Sequence, residues 1–186
     1  MFEIDSSVNW LDASKSMQSN KRIVNAKDQL VAAIGGLPVG ARVTVLAFAK
    51  ELSLWRPELQ AATAENRAAA QGFVRALELQ LQTRSLEAIE RAFQIKDADT
   101  IVFLSDGAPT DRDRLTKELF PLGEILGRIR VANRFERRQL DTFLFPPKKR
   151  KKKRKKPKPG RDPAALEVFM RELAKQNGGT FTRIDD

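Results

Sequence analysis

Two rhythms of apolar and polar residues alternate along this chain, and each change of rhythm marks an element. Short β-branched or aromatic runs predict strands near 7–11, 42–49, 99–104, 140–145 and 180–184. Among these, Thr100-Ile101-Val102-Phe103-Leu104 is uninterrupted, the mark of a strand buried on both faces. A further strand near 51–56 suits a sheet edge. Ile23, Ala26, Leu30, Ala33, Ile34 and Leu37 recur at helical spacing, which predicts a helix over 20–36 stopped by Gly35-Gly36. Other helices are predicted over 64–80, over 85–95 with Ser85 as its cap, and from Pro121 along the stripe Ile125, Leu126, Ile129 and Ala132. The last spans 162–177, with Asp162 as N-cap and Pro163 at the first position. A shorter helical stretch is expected after Asp113, and Pro146 to Arg161 reads as a loop.

Strands alternating with helices argue for an α/β fold: a doubly wound, mostly parallel central sheet flanked by helices on both faces, joined by right-handed crossovers. A chain of 186 residues, 41% of them hydrophobic, suits a single domain over 1–186 with one core. The first strand, Ser7-Val8-Asn9-Trp10-Leu11, is more polar than a central strand usually is, and Trp10 and Trp55 are expected in the core or at the sheet edge.

Composition narrows the chemistry. The chain has no Cys and no His, which excludes disulfides, thiolate chemistry, structural zinc and a His-based acid/base mechanism. Its net charge of +10 is local, because Lys148 to Lys158 holds ten Lys or Arg and no acid, and the rest of the chain carries equal numbers of basic and acidic residues. Self-repulsion and the lack of apolar residues predict a disordered basic loop over 146–161, inserted between a strand and the last helix. It lacks interleaved aromatics, so only backbone electrostatics is available to it against a polyanion. No window approaches eighteen consecutive apolar residues, and the N-terminus lacks the pattern of a secretory signal, so the chain as written is expected to be cytoplasmic with no membrane contact of its own.

Candidate chemistry gathers in three segments. Asp12-Ala13-Ser14-Lys15-Ser16 sets a carboxylate and two hydroxyls at alternating positions after the first strand. These are oxygen ligands suited to a hard cation such as Mg²⁺, and neutral hydroxyls among few charges would hold it weakly and leave a coordination position open. The same residues also suit a polar turn capping the helix that follows. Ser105-Asp106-Gly107 puts a second carboxylate at the end of the buried strand, and Thr83 places a third hydroxyl just before a helix. Ligands of open α/β sheets gather outside the carboxyl ends of strands, which is where Asp12 and Asp106 are expected to meet. Lys15, Arg84 and Arg112 would add positive charge to the rim.

The order Asp-x-Ser-x-Ser, then Thr, then Ser-Asp-Gly resembles the metal-ion-dependent adhesion site of von Willebrand factor type A domains of the bacterial type. The resemblance continues through Leu30 to Pro38, Arg42 to Phe48, Leu166 to Ala174 and Gln176 to Ile184, nearly the whole chain. It implies that Ser14, Ser16 and Thr83 bind the metal through hydroxyl oxygens, with Asp12 and Asp106 acting mainly through water. The implied ion is Mg²⁺, with Mn²⁺ or Ca²⁺ as alternatives. Lys15 departs from the family pattern, standing where Gly is common. Bacterial relatives often carry a membrane segment or other domain upstream, so a first strand only a few residues after Met1 suits a detached or truncated domain.

The function expected is a non-enzymatic adhesion or scaffold module, in which a Glu or Asp of a protein partner completes the coordination of Mg²⁺ and the basic loop speeds encounter with acidic surfaces. The alternative is a binder of nucleic acid or another acidic polymer through Lys148 to Lys158, set apart by metal independence and a steep salt slope. A metal-assisted phosphohydrolase is disfavoured: neither Asp12 nor Asp106, the acids that follow strands, belongs to an Asp-x-Asp nucleophile and acid pair, and the chain has no Gly-x-x-x-x-Gly-Lys phosphate loop and no His.

Overall fold

A computed structural model describes residues 6–80, 85–107, 109, 118–146 and 162–185. Thr83, Arg84, Arg112, the stretch after Asp113 and the basic run Lys148 to Lys158 lie outside the described residues. The strands are β1 (Ser6–Asp12), β2 (Arg42–Phe48), β3 (Leu52–Leu54), β4 (Gln60–Ala61), β5 (Thr100–Ser105), β6 (Gln139–Leu144) and β7 (Phe181–Arg183). The helices are α1 (Arg22–Gly35), α2 (Ala64–Ala76), α3 (Ser85–Gln94), α4 (Leu122–Ala132) and α5 (Pro163–Gln176), with a 3-10 helix over Lys15–Lys21 before α1.

Among the described residues the sheet runs β3-β2-β1-β5-β6-β7, with β4 also paired to β2. β1, β2, β5, β6 and β7 are mutually parallel, and β3 and β4 run antiparallel to β2. This is the expected α/β architecture with a mostly parallel sheet. From β1 the chain first builds outward through β2, then returns to the other side of β1 with β5, so the strand order reverses between β1 and β5. That reversal opens the crevice in which open α/β sheets place ligands.

Both sheet faces are covered. Val8, Trp10, Phe48, Ile101 and Phe103 pack against α3, α4 and α5, and Leu11, Val43, Val45 and Leu104 pack against α1 and α2. Alternation along β1 explains its polar sequence. Val8 and Trp10 point to the first core, and Trp10 stacks on Phe103 with ring centroids 4.2 Å apart. On the opposite face Asn9 donates from Nδ2 to Ser7 Oγ at 3.2 Å, so the polar pair is buried but bonded. Trp10 is wholly buried and Trp55 packs against the second core, as expected of both.

Three boundaries differ from the sequence reading. The stretch from 20 to 36 is not one helix: the 3-10 helix ends at Lys21, whose φ of 57° is left-handed, and α1 starts at Arg22. A non-glycine residue there costs roughly 1 kcal/mol, which the packing on either side must offset. α2 stops at Ala76 rather than 80, because Gln80 pairs instead with the loop after β1, its N–H bonding the Ala13 carbonyl at 2.9 Å. The edge strand expected near 51–56 is the shorter β3, and β4 at Gln60–Ala61 is a further strand that the apolar pattern did not show. At the last helix Asp162 does cap, its Oδ1 accepting from Ala164 N at 3.3 Å beside Pro163.

Candidate metal centre

The loop after β1 is held from three sides. Ala13 N donates to Phe48 O at 2.9 Å, Lys15 N donates to Gln80 O at 2.8 Å, and the wholly buried Met17 anchors the 3-10 helix in the α1 core. This leaves Ser16 exposed at the surface while Ser14, one turn back, is 2% exposed. Ser14 occupies the N-cap position of the 3-10 helix, yet its side chain makes no capping hydrogen bond. Its Oγ is instead hydrogen-bonded to Ser16 Oγ at 2.8 Å. The two hydroxyls therefore face each other; of the polar capping turn that the sequence also allowed, the turn forms at Asp12 and the Ser14 side-chain cap does not.

Asp12 is the last residue of β1. It is wholly buried, and both carboxylate oxygens have donors: Ser14 N reaches Oδ1 at 2.9 Å, closing an Asx turn, and Ser105 Oγ reaches Oδ2 at 2.6 Å. The Ser105 oxygen accepts in turn from Gly107 N at 3.0 Å. Burial, and then the nearby charge of Asp106, push the Asp12 carboxyl up to about 7, against the opposing hydrogen bonds from Ser105 and Ser14. A carboxylate so destabilised as an anion gains from any cation placed beside it.

Asp106 follows β5, 4% exposed, and its Oδ2 accepts from Arg22 Nη1 at 2.9 Å in a buried ion pair. Arg22 Nε also donates to Ser19 O at 2.9 Å, tying the guanidinium to the 3-10 helix that carries Ser16. Gly107 turns the chain with a φ of +78°, and a Cβ there would stand 3.2 Å from Met170 Cγ, so both backbone and space favour glycine next to Asp106.

The structure thus brings together four of the five residues proposed from sequence, Asp12, Ser14, Ser16 and Asp106, at the sheet's carboxyl edge; Thr83 is outside the described residues. Sequence reasoning did not assign roles to Ser105 or Arg22. A signal for Arg22 existed: it stands four residues before Ala26 on the buried stripe Arg22, Ala26, Leu30, Ile34, a charge where the helix is otherwise apolar.

The donor set fits a hard cation. Two cis ligands of an ion with bonds near 2.1 Å lie about 3.0 Å apart, close to the separation of the serine hydroxyls. Among the described residues no group of three or more acidic side chains is placed to hold a metal ion. Among the same residues no helix is long and apolar enough to cross a membrane.

The fold has many solved counterparts. A von Willebrand factor type A structure from Catenulispora acidiphila superposes with a TM-score of 0.71 at 22% identity, covering 98% of this chain and 39% of that one, so this chain spans well under half of that protein's length. An aerotolerance-related membrane protein from Bacteroides fragilis, solved with multiple mutations to serine, matches with a TM-score of 0.68 at 16% identity, covering 97% of this chain and 92% of that chain. The vWF domain of the type V pili tip protein Mfa5 from Porphyromonas gingivalis matches with a TM-score of 0.67 at 12% identity, covering 98% and 90%. No curated protein matches the chain by sequence. The family model for the von Willebrand factor type A domain does match, over residues 8–121, from β1 past the Asp106 loop, and the chain belongs to that family of protein-interaction modules.

Proposed function

We propose that this domain is a non-enzymatic, metal-dependent interaction module. The observation that carries the reading is the pair of serine hydroxyls 2.8 Å apart next to a buried, doubly hydrogen-bonded Asp12. Ser14 and Ser16 would hold Mg²⁺ or a similar ion directly, with Thr83 as the third hydroxyl by family resemblance. Asp12 and Asp106 would act through water, supplying negative charge without occupying the position needed by a partner. The bound ion would supply an electrophilic site for a Glu or Asp carboxylate of that partner. Asp12 keeps Ser14 in place through the Asx turn, Ser105 keeps Asp12 in place, and Met17 fixes the turn that presents Ser16 to solvent. Each task is one of positioning, and none requires a proton-transfer group. Pilus and matrix proteins among the structural counterparts, such as the Mfa5 domain and a proximal thread matrix protein from mussel byssus, fit an interaction role.

The test is a capture experiment with the immobilised domain at high salt, in Mg²⁺ and in EDTA, alongside Asp12→Ala. The reading expects partners retained only by the parent in Mg²⁺. Retention that ignores both EDTA and the substitution would remove the metal from the mechanism.

A further inference from the structure

We infer that Arg22 is a tethered cation that competes with the metal for Asp106, holding the site in order without the ion and setting how tightly the ion binds. The inference rests on the metal-dependent reading above and deepens it. The guanidinium is buried, with side-chain exposures of 7% for Arg22 and 5% for Asp106. It is also fixed at both ends: Nη1 holds Asp106 Oδ2 at 2.9 Å and Nε holds Ser19 O at 2.9 Å. One side chain therefore joins the loop after β5 to the 3-10 helix bearing Ser16, across the crevice where strand order reverses.

Two carboxylates at the edge of a low-dielectric core repel each other, and one of them is already disfavoured as an anion by burial and by its neighbour. Arg22 sets a positive charge against Asp106, one member of that pair. The same charge lowers the attraction of the site for a divalent ion, because Asp106 is neutralised in advance and any incoming cation meets a fixed guanidinium. The left-handed joint at Lys21, φ 57°, places Arg22 at the start of α1 with its side chain turned toward Asp106. Metal affinity is then traded against order in the ion-free site through Arg22.

The test uses Mn²⁺ as the probe, titrated by calorimetry into the parent, Arg22→Gln and Arg22→Lys. Gln removes the charge and, being two atoms shorter, the bond to Asp106, whereas Lys keeps the charge. Arg22→Gln is expected to bind Mn²⁺ at least about tenfold more tightly, with a lower melting temperature in EDTA and a larger rise on adding Mn²⁺. Arg22→Lys should keep an Mn²⁺ affinity nearer the parent's than Arg22→Gln does, while melting below the parent in EDTA because it loses the bond to Ser19 O. Equal affinities for the parent and Arg22→Gln would overturn the role of Arg22 and leave the metal site standing. Failure of all three to bind Mn²⁺ would overturn the metal site, and this inference with it. Should Arg22→Gln fail to fold, the parent decides alone: the Arg22 Nε–H resonance is expected to shift as Mg²⁺ saturates the site, and a resonance that stays fixed rejects competition.

Discussion

At the scale of single residues, Asp12 carries the sharpest consequence. Its carboxyl is pushed up to about 7 in the folded chain, while an unfolded aspartate loses its proton near 4. The folded state therefore binds the extra proton between those values. The contribution of Asp12 to metal-free stability is greatest at low pH, falls as pH rises from about 4 to about 7, and stays low above that. Asp12→Asn should melt above the parent at pH 8 in EDTA, with the gap closing toward pH 5; melting curves at the two pH values check it. Mg²⁺ competes with the same proton, so affinity for the ion should rise from pH 6 to pH 8 in the parent. Ser105→Ala removes the 2.6 Å hydrogen bond to Asp12 and should cost about 1–2 kcal/mol in denaturant unfolding while weakening Mg²⁺ binding, since Asp12 loses the group that orients it. Asp12, Ser14 and Ser16 were readable in the sequence because one short motif holds all three. Ser105 and Arg22 were not, because their partners lie 93 and 84 residues away in the chain and only the packed sheet edge brings them together.

At the scale of elements, apolar periodicity sufficed where packing is regular. The parallel strands and α5 fall within a residue or two of expectation, since burial on a face imposes the period that the sequence displays. It failed where long-range backbone pairing decides. Gln80 leaves the helical pattern to pair beside Ser14, and the 3-10 helix buries Met17 directly after the loop that follows β1. The link from α5 to β7 shows a further demand that sequence does not display. A Cβ on Gly179 would stand 2.0 Å from the Leu140 carbonyl oxygen, so the backbone can pass β6 only without a side chain. Gly179→Ala should cost about 3 kcal/mol or more in denaturant unfolding, through displacement of β7 from β6. Ala in place of the exposed Gly123, whose Cβ would meet nothing within 4 Å, is the matched control and should not destabilise.

At the scale of the whole molecule, the order of strands and helices was readable from alternation alone, and so was the edge at which Asp12 and Asp106 meet. What alternation could not specify was the charge balance there: two acids, one of them paired with a buried arginine. The basic run Lys148 to Lys158 carries ten Lys or Arg and no acid. It follows β6, and Phe145 at the end of that segment donates from N to Ser105 O at 3.0 Å, next to Asp106. Replacing the run with a short Gly/Ser bridge should leave folding and Mg²⁺ affinity close to the parent while flattening the slope of log affinity against log salt for an acidic ligand. An unchanged slope would show that the run contributes no long-range attraction. The central claim, that Ser14 and Ser16 face each other in order to hold a cation, is tested most directly by titrating Mn²⁺ into the parent and into the Ser14→Ala, Ser16→Ala double variant. Melting temperatures in EDTA are measured in parallel. The account predicts one weak site in the parent, none in the variant and similar melting temperatures for both; equal Mn²⁺ binding by the two proteins would contradict it.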